Sequence, residues 1–104
     1  MKSTIIIATA VAALSFSMGA SAADRNAAET AKNLCAGCHG PNGISVNPLW
    51  PNLAGQKAAY ISKAMSDYKA GLRNDPSMSA IAATVSDAEI ITLGEYYAAL
   101  PPGG

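Results

Sequence analysis

The feature that most constrains this chain is the segment Cys35-Ala36-Gly37-Cys38-His39. It contains both cysteines and the only histidine of the 104-residue sequence. Side chains three positions apart on a helical turn lie on the same side, so both thiols can reach one edge of a single flat ligand. His39 follows at once and falls beneath that ligand, where a ring nitrogen can bind a metal ion at its centre.

Three other interpretations of this segment compete. A thioredoxin-like redox pair needs a strand–helix–strand context, and no strand pattern surrounds this one. A structural zinc site takes four ligands, whereas the chain has two cysteines and one histidine. A simple disulfide leaves the adjacent His39 without a role. The C-x-x-C-H spacing instead predicts one covalently attached c-type haem, with Cys35 and Cys38 as thioether donors and His39 as an iron ligand.

Residues 1–22 have the pattern of a cleavable export signal. Lys2 precedes the mostly apolar run Ile5–Phe16, and a small-x-small cleavage site ends at Ala22. The alternative, a retained membrane anchor, is disfavoured because a spanning helix needs about 20 apolar residues. We therefore expect cleavage after Ala22, a periplasmic location, and a mature domain over 23–104 without a membrane span.

Length and charge restrict the mature part further. A chain of 104 residues predicts a single domain, which we expect to be monomeric. Seven basic and seven acidic side chains balance, so no nucleic-acid partner is expected. Domains this small bury only about 60% of their unfolded surface, and a haem supplies the apolar surface that the helices need.

Apolar periodicity and turn residues predict an all-α fold, a small domain of four to five helices wrapped around one haem. A capping box at Ser86 and Glu89 begins the last helix, and Gly71 ends the second in the position that a helix C′ residue favours. The predicted segments are a first helix capped by Asp24 over Asp24–Leu34, a loop over Gly40–Gly55, and helices over Gln56–Ala70, Met78–Thr84 and Ser86–Leu100.

The second axial ligand of the iron cannot be a histidine of this chain, because His39 is the only one. Methionine is the next candidate, and outside the leader only Met65 and Met78 remain. Met65 lies in the apolar stripe of the second helix, where methionine commonly fills the core. Met78 follows a polar turn, and loops often carry ligands, so Met78 is favoured over Met65.

Two loop residues are candidates for the surroundings of the haem. The carbonyl of Pro51 is free to accept a hydrogen bond from the second ring nitrogen of His39, although Pro51 could equally be a loop stiffener. Trp50 is the only tryptophan, and its size favours packing on the haem over exposure to solvent.

Further residues accompany the haem motif in a recognisable order. They are Gly40, Pro51-Asn52-Leu53-Ala54-Gly55-Gln56, Tyr60, Gly71, Arg73, Met78, Ser86-Asp87 and Leu93 through Tyr97. With them, the chain resembles class I c-type cytochromes from Cys35 to Leu100, in particular the short bacterial cytochromes c553 and a single half of cytochrome c4.

This resemblance implies that Met78 is the distal ligand and that Pro51 accepts the hydrogen bond from His39. It also implies that the terminal helices cross, with Ala27 and Ala31 against Leu93 and Tyr96. Two positions depart from the family pattern: Val85 stands where leucine is usual, and Gly94 stands where alanine is common. Glycine at position 94 is expected to weaken the last helix by about 1 kcal/mol relative to alanine.

The expected function is therefore one-electron transfer by a soluble periplasmic carrier, not an enzyme, with a His/Met-ligated haem c and redox proteins as partners. One alternative is a haem enzyme or gas sensor with an open distal site, which requires that Met78 does not bind iron. Another is an electron-transfer subunit of a larger respiratory complex, which keeps the chemistry and changes the partner.

Overall fold

The computed structural model describes residues 2–10 and 26–103. Most of the predicted leader, its cleavage site at Ala22 and the expected cap Asp24 lie outside the described residues. In the part that is described, the ordered elements are helical and none is a strand, which confirms the predicted all-α class. None of these helices is long and apolar enough to cross a membrane. The elements are α1 (Ala27–Thr30), a π-helical turn (Ala31–Cys35), α2 (Ala36–His39), α3 (Ala58–Ala70), α4 (Pro76–Ala83) and α5 (Asp87–Ala98).

The first helical run begins later and ends later than predicted. Its N-cap is Asn26, whose side-chain oxygen accepts the backbone N–H of Glu29 at 2.8 Å. The run continues past Leu34, because a π turn carries it into α2 and on to His39. Gly40 ends it with φ +85°. Both cysteines therefore lie on helical backbone.

The start of α4 differs from the prediction for a definite reason. Asp75 is its N-cap and accepts the backbone N–H groups of Ser77 and Met78 at 3.0 and 2.8 Å. Pro76 occupies the first helical position, where its missing N–H is harmless and its fixed φ suits the helix. The sequence analysis took Asp75-Pro76 only as the break of a turn. The structure makes Met78 a first-turn residue of α4.

The ends of α3 and the start of α5 follow the predicted chemistry. Helix α3 begins at Ala58, two residues later than expected, and ends at Ala70, with Gly71 as its C-cap at φ +76°. Ser86 and Glu89 form the predicted capping box, in which each side chain bonds to the backbone of the other. Such a box satisfies two of the amides that a helix start leaves unpaired.

Helix α5 packs against both α1 and α3 and carries much of the core. The predicted crossing of the terminal helices is present, with Ala31 and Leu93 in one buried cluster and Ala27 and Tyr96 packed against it. The buried members of this cluster are Ala31, Ile61, Met65, Ala82, Val85, Ile90, Leu93 and Tyr97.

A buried hydrogen bond also joins α1 to α5. The Thr30 hydroxyl donates to the Glu89 carboxylate at 2.9 Å, and these residues are only 1% and 2% exposed. A buried carboxylate needs such donors, because removing it from water is otherwise very unfavourable. The contact therefore fixes how α1 lies on α5.

Gly94 lies where α5 closely approaches α3. A Cβ atom at this position would be 2.7 Å from the Ala58 carbonyl oxygen and 2.9 Å from Ser62 Oγ. The expectation that glycine here only weakens the helix was therefore incomplete, because the missing side chain is what lets the two helices approach.

The predicted loop extends from Gly40 to Lys57 and folds back on itself. The carbonyl of Gly43 accepts the N–H groups of Leu53 and Ala54 at 2.8 and 3.0 Å. The loop is also tied to α5, since the N–H of Gly55 donates to the carbonyl of Tyr97 at 2.9 Å. These contacts hold the loop against the end of α5 and beside the haem motif.

Candidate haem site

One cavity of about 430 Å³ collects the residues singled out from the sequence. The first helical run contributes the Cys35-to-His39 motif, the loop contributes Trp50 and Pro51, and α3 and α4 contribute one methionine each. Its lining residues include Cys35, Cys38, His39, Trp50, Pro51, Met65 and Met78. Residues as far apart in sequence as 35 and 78 thus meet around one space.

His39 is buried at the wall of this cavity, and one of its ring nitrogens is engaged. Its Nδ1 lies 2.7 Å from the carbonyl oxygen of Pro51. A carbonyl oxygen can only accept, so Nδ1 carries the proton and donates. The other nitrogen, Nε2, is then the one with a lone pair available for a metal ion. The same contact fixes the ring orientation, as the partners of metal-binding histidines commonly do.

The two cysteines have different surroundings. Both are free thiols, so no disulfide joins them. Cys38 is exposed, whereas Cys35 is partly buried against the core, with the Tyr97 side chain as a neighbour. Burial raises the pKa of the Cys35 thiol, and the neighbouring Tyr97 hydroxyl partly offsets that rise. The C-x-x-C pattern does not indicate that the two cysteines differ in burial.

Both candidate methionines reach the cavity, from different kinds of backbone. Met65 lies within the 13-residue helix α3 and is 8% exposed, among the buried core residues. Met78 lies in the first turn of α4, is partly buried, and packs against that core from outside. Position at the cavity alone therefore does not decide which methionine is the better candidate for an iron ligand. Met65, however, is already part of the buried core.

Trp50 lies at the cavity wall and is 44% exposed. Its backbone N–H donates to the carbonyl of Asn47 at 3.1 Å, which holds this part of the loop. Packing of the indole on a haem remains a prediction.

Sequence reasoning assigned no site role to Arg73 or Tyr97. The Arg73 guanidinium lies 4.8 Å from the centre of the Tyr68 ring, a cation–π distance, and the neighbouring Tyr60 hydroxyl raises the pKa of Arg73. Arg73 also lines the cavity. Tyr97 is 2% exposed and lines it too. Both residues belong to the sequence pattern of the family resemblance, but that pattern gave neither a role, since each is brought to the site by tertiary packing.

The donor set suits a covalently held haem. Two thiols, one imidazole with a free nitrogen and two thioethers line the same space, and most of the remaining wall is apolar or aromatic. Zinc is a poor fit. Over residues 2–10 and 26–103, no group of three or more His, Cys, Asp or Glu side chains could hold a metal ion by itself.

The known proteins that this chain resembles include cytochromes. Cytochrome c4 of Thiocapsa roseopersicina is 42% identical over 71 residues, which are 68% of this chain and 36% of that protein. Cytochrome c-554(548) of Halomonas halodenitrificans is 35% identical over 79 residues, covering 73% of this chain and 95% of that protein.

The solved structure of reduced recombinant cytochrome c4 from Pseudomonas stutzeri superposes with a TM-score of 0.62 at 33% identity. The match covers 72% of this chain and 48% of that one. The chain thus spans between a third and a half of the length of the cytochromes c4 compared here. The family model for cytochrome c matches residues 25–96, more than half of the sequence. The chain therefore belongs to the cytochrome c family.

Proposed function

We propose that this protein is a one-electron carrier whose haem c is attached to Cys35 and Cys38 and ligated by His39 and Met78. The cofactor follows from the family, whose members carry covalent haem c. The observation that carries the proposal is the convergence of two thiols, an oriented imidazole and a methionine on one cavity. When bound, the haem supplies an iron that cycles between ferrous and ferric states.

The residues around this cavity have separate roles in the proposal. Cys35 and Cys38 fix one edge of the macrocycle and prevent its loss. His39 presents Nε2 to the iron, because Pro51 holds Nδ1 at 2.7 Å. Asp75 holds the backbone of Met78 through the helix cap at 2.8 Å, so that the first turn of α4 provides a stiff mount for the thioether.

Two protein ligands on the iron favour electron transfer over chemistry on a substrate. With His39 and Met78 both holding the iron of a bound haem, no position on it would be open to a small molecule. The helices that hold these ligands pack into one core, so a change of one charge on the iron requires little movement. Methionine with histidine also raises the potential relative to other ligand pairs.

The location and partners form a second part of the proposal. A leader over residues 1–22, cleaved after Ala22, directs the chain to the periplasm, where its partners are redox proteins that donate and accept electrons. We propose a monomer that docks through a small uncharged patch around the exposed haem edge. The residues of this patch are Ala36, Gly37, Ile44, Ser79 and Ala80.

Two matched variants test the ligand assignment. Met78→Ala should open the distal position, so that the ferric methionine–iron charge-transfer band disappears and the ferrous protein binds carbon monoxide. Met65→Ala should keep the band and lower the free energy of unfolding by about 2–5 kcal/mol, as truncation of a buried methionine does. Absorption spectra of both oxidation states, with and without carbon monoxide, report the ligand change.

The reverse result would reassign the ligand. If the band vanished in Met65→Ala and persisted in Met78→Ala, Met65 would be the axial ligand. If the wild-type protein itself bound carbon monoxide readily and lacked the band, its distal site would be open, and a haem enzyme or gas sensor would replace the carrier.

A further inference from the structure

Tyr97 is a buried phenol with a specific partner. Its side chain is 2% exposed, and it lies close enough to Cys35 for each of the two groups to alter the ionisation of the other. A buried tyrosine hydroxyl generally needs a partner. Cys35 and Tyr97 both line the haem cavity, so this contact lies at the point where the macrocycle is attached.

The position of Tyr97 is fixed from several sides. Its carbonyl accepts the N–H of Gly55 at 2.9 Å, which ties it to the loop. A Cβ atom at Gly43 would be 3.0 Å from its ring, so the loop backbone passes directly against the phenol. The ring of Tyr96 meets it edge-on at 5.1 Å between centroids. The hydroxyl is thus held in place independently of Cys35.

Attachment of the haem changes the sulfur in a way that preserves this contact. The thiol adds across a vinyl double bond: sulfur bonds to one vinyl carbon, the thiol hydrogen ends on the other, and nothing leaves. The product is a thioether with no hydrogen of its own, which can only accept. Burial raises the pKa of the Tyr97 phenol, so the hydroxyl keeps its proton and donates it.

We propose that Tyr97 is a positioning residue that donates a hydrogen bond to the Cys35 thioether and raises the reduction potential of the haem. The inference rests on the proposed function, since it needs the haem attached at Cys35. The other thioether has a different environment, because Cys38 is exposed. Only one of the two attachment points is therefore reinforced by a buried donor.

The direction of the effect follows from electrostatics. An O–H group that donates to the sulfur turns its positive end toward the haem. Ferric haem carries one more positive charge than ferrous haem, so this dipole disfavours the ferric state. Hydrogen bonds and burial around a haem are established means of setting its potential, and a low local dielectric strengthens them.

Tyr97→Phe removes only the hydroxyl, and Tyr96→Phe makes the same change on the neighbouring, partly buried ring. In the haem-loaded protein, potentiometry should give a lower midpoint potential for Tyr97→Phe than for wild type. Tyr96→Phe should leave the potential unchanged. A Tyr97→Phe potential equal to or above the wild-type value would overturn the proposal.

A measurement on wild type keeps the proposal testable if Tyr97→Phe folds poorly. Proton NMR of the reduced protein should show a slowly exchanging Tyr97 hydroxyl with a nuclear Overhauser effect to the Cys35 β-protons. Absence of that contact would overturn the proposal. The carrier function is judged separately, by whether wild type carries one haem and shows a reversible one-electron couple, so the two can fail independently.

Discussion

Replacement of Gly94 by alanine sets two physical effects against each other. In an exposed helix, alanine is more favourable than glycine by about 1 kcal/mol, and this gain alone would stabilise α5. At Gly94, however, the new Cβ would lie 2.7 Å from the carbonyl oxygen of Ala58 and 2.9 Å from Ser62 Oγ. The Ser62 hydroxyl can rotate away, but the Ala58 carbonyl belongs to the backbone of α3.

The structure indicates which effect is larger. Relief of the contact requires α5 and α3 to separate by several tenths of an ångström along an interface that contains Ile61 and Leu93. Overpacking of this kind typically costs about 1–3 kcal/mol. Subtracting the helix propensity gain leaves a net loss of about 0–2 kcal/mol of unfolding free energy. Gly94→Ala should therefore destabilise the protein, contrary to the expectation from propensity.

Guanidinium denaturation of the haem-loaded protein, followed by circular dichroism, measures this difference. Gly37→Ala is the matched control, because Gly37 is also helical, is exposed, and has no heavy atom within 4 Å of the position of a new Cβ. The control should be neutral or stabilising by up to about 1 kcal/mol. If Gly94→Ala were as stabilising as Gly37→Ala, the close approach of α5 to α3 would be refuted.

Three further results are expected. Thr30→Val should lower the free energy of unfolding by about 1.5–3 kcal/mol, because it removes a buried donor to the Glu89 carboxylate. Thr84→Val makes the same change at an exposed hydroxyl and should shift the free energy of unfolding by less than about 0.5 kcal/mol. If the two variants lost the same amount of unfolding free energy, burial of the Thr30 hydrogen bond would not be the cause. Protein from the periplasm should have the mass of residues 23–104 plus one haem and no thiol open to alkylation, whereas a retained leader would contradict cleavage after Ala22. Electron transfer with a periplasmic redox partner should slow by less than about tenfold between low and physiological salt, and a fall of several orders of magnitude would reveal a charged docking face.

The weak salt dependence follows from where the charges lie on α3. Lys63 pairs with Asp67 on the same helix at 2.5 Å. Lys69 pairs with Asp87 at 3.1 Å and also donates to the Val85 carbonyl at 2.7 Å. Two of the three helix-associated lysines thus have anionic partners, so they add little to a long-range positive field.

Local chemistry explains which parts of the fold were predictable. The capping box of α5 and the glycine that ends α3 depend on residues within one turn, and both are where the sequence indicated. The start of α4 also had a local signal, Asp75 followed by Pro76, which is typical of an N-cap and first helical position. That signal was present but was interpreted as a turn.

The π turn had no such signal. Ala31–Cys35 contains no residue that requires the wider helix. Tyr97 and Cys35 are 62 positions apart, and their contact depends on how α5 crosses the first helical run. Sequence patterns identified the chemistry of the haem motif, but the residues that surround it come from packing.

Helix α5 joins these separate observations. Glu89 accepts a hydrogen bond from Thr30 of α1, and Gly94 lets α3 approach closely because it has no side chain. Tyr97 lies beside Cys35. Residues three or four apart share a helix face, and Tyr97 is three residues from Gly94 and four from Leu93, so Tyr97 moves with either of them when the helix shifts. A displacement forced at Gly94 is therefore transmitted to the Tyr97 hydroxyl within one turn. Through this single helix, the packing that stabilises the domain also positions the Tyr97 hydroxyl beside the haem. Gly94→Ala should therefore change both stability and potential, whereas Thr84→Val should change neither appreciably.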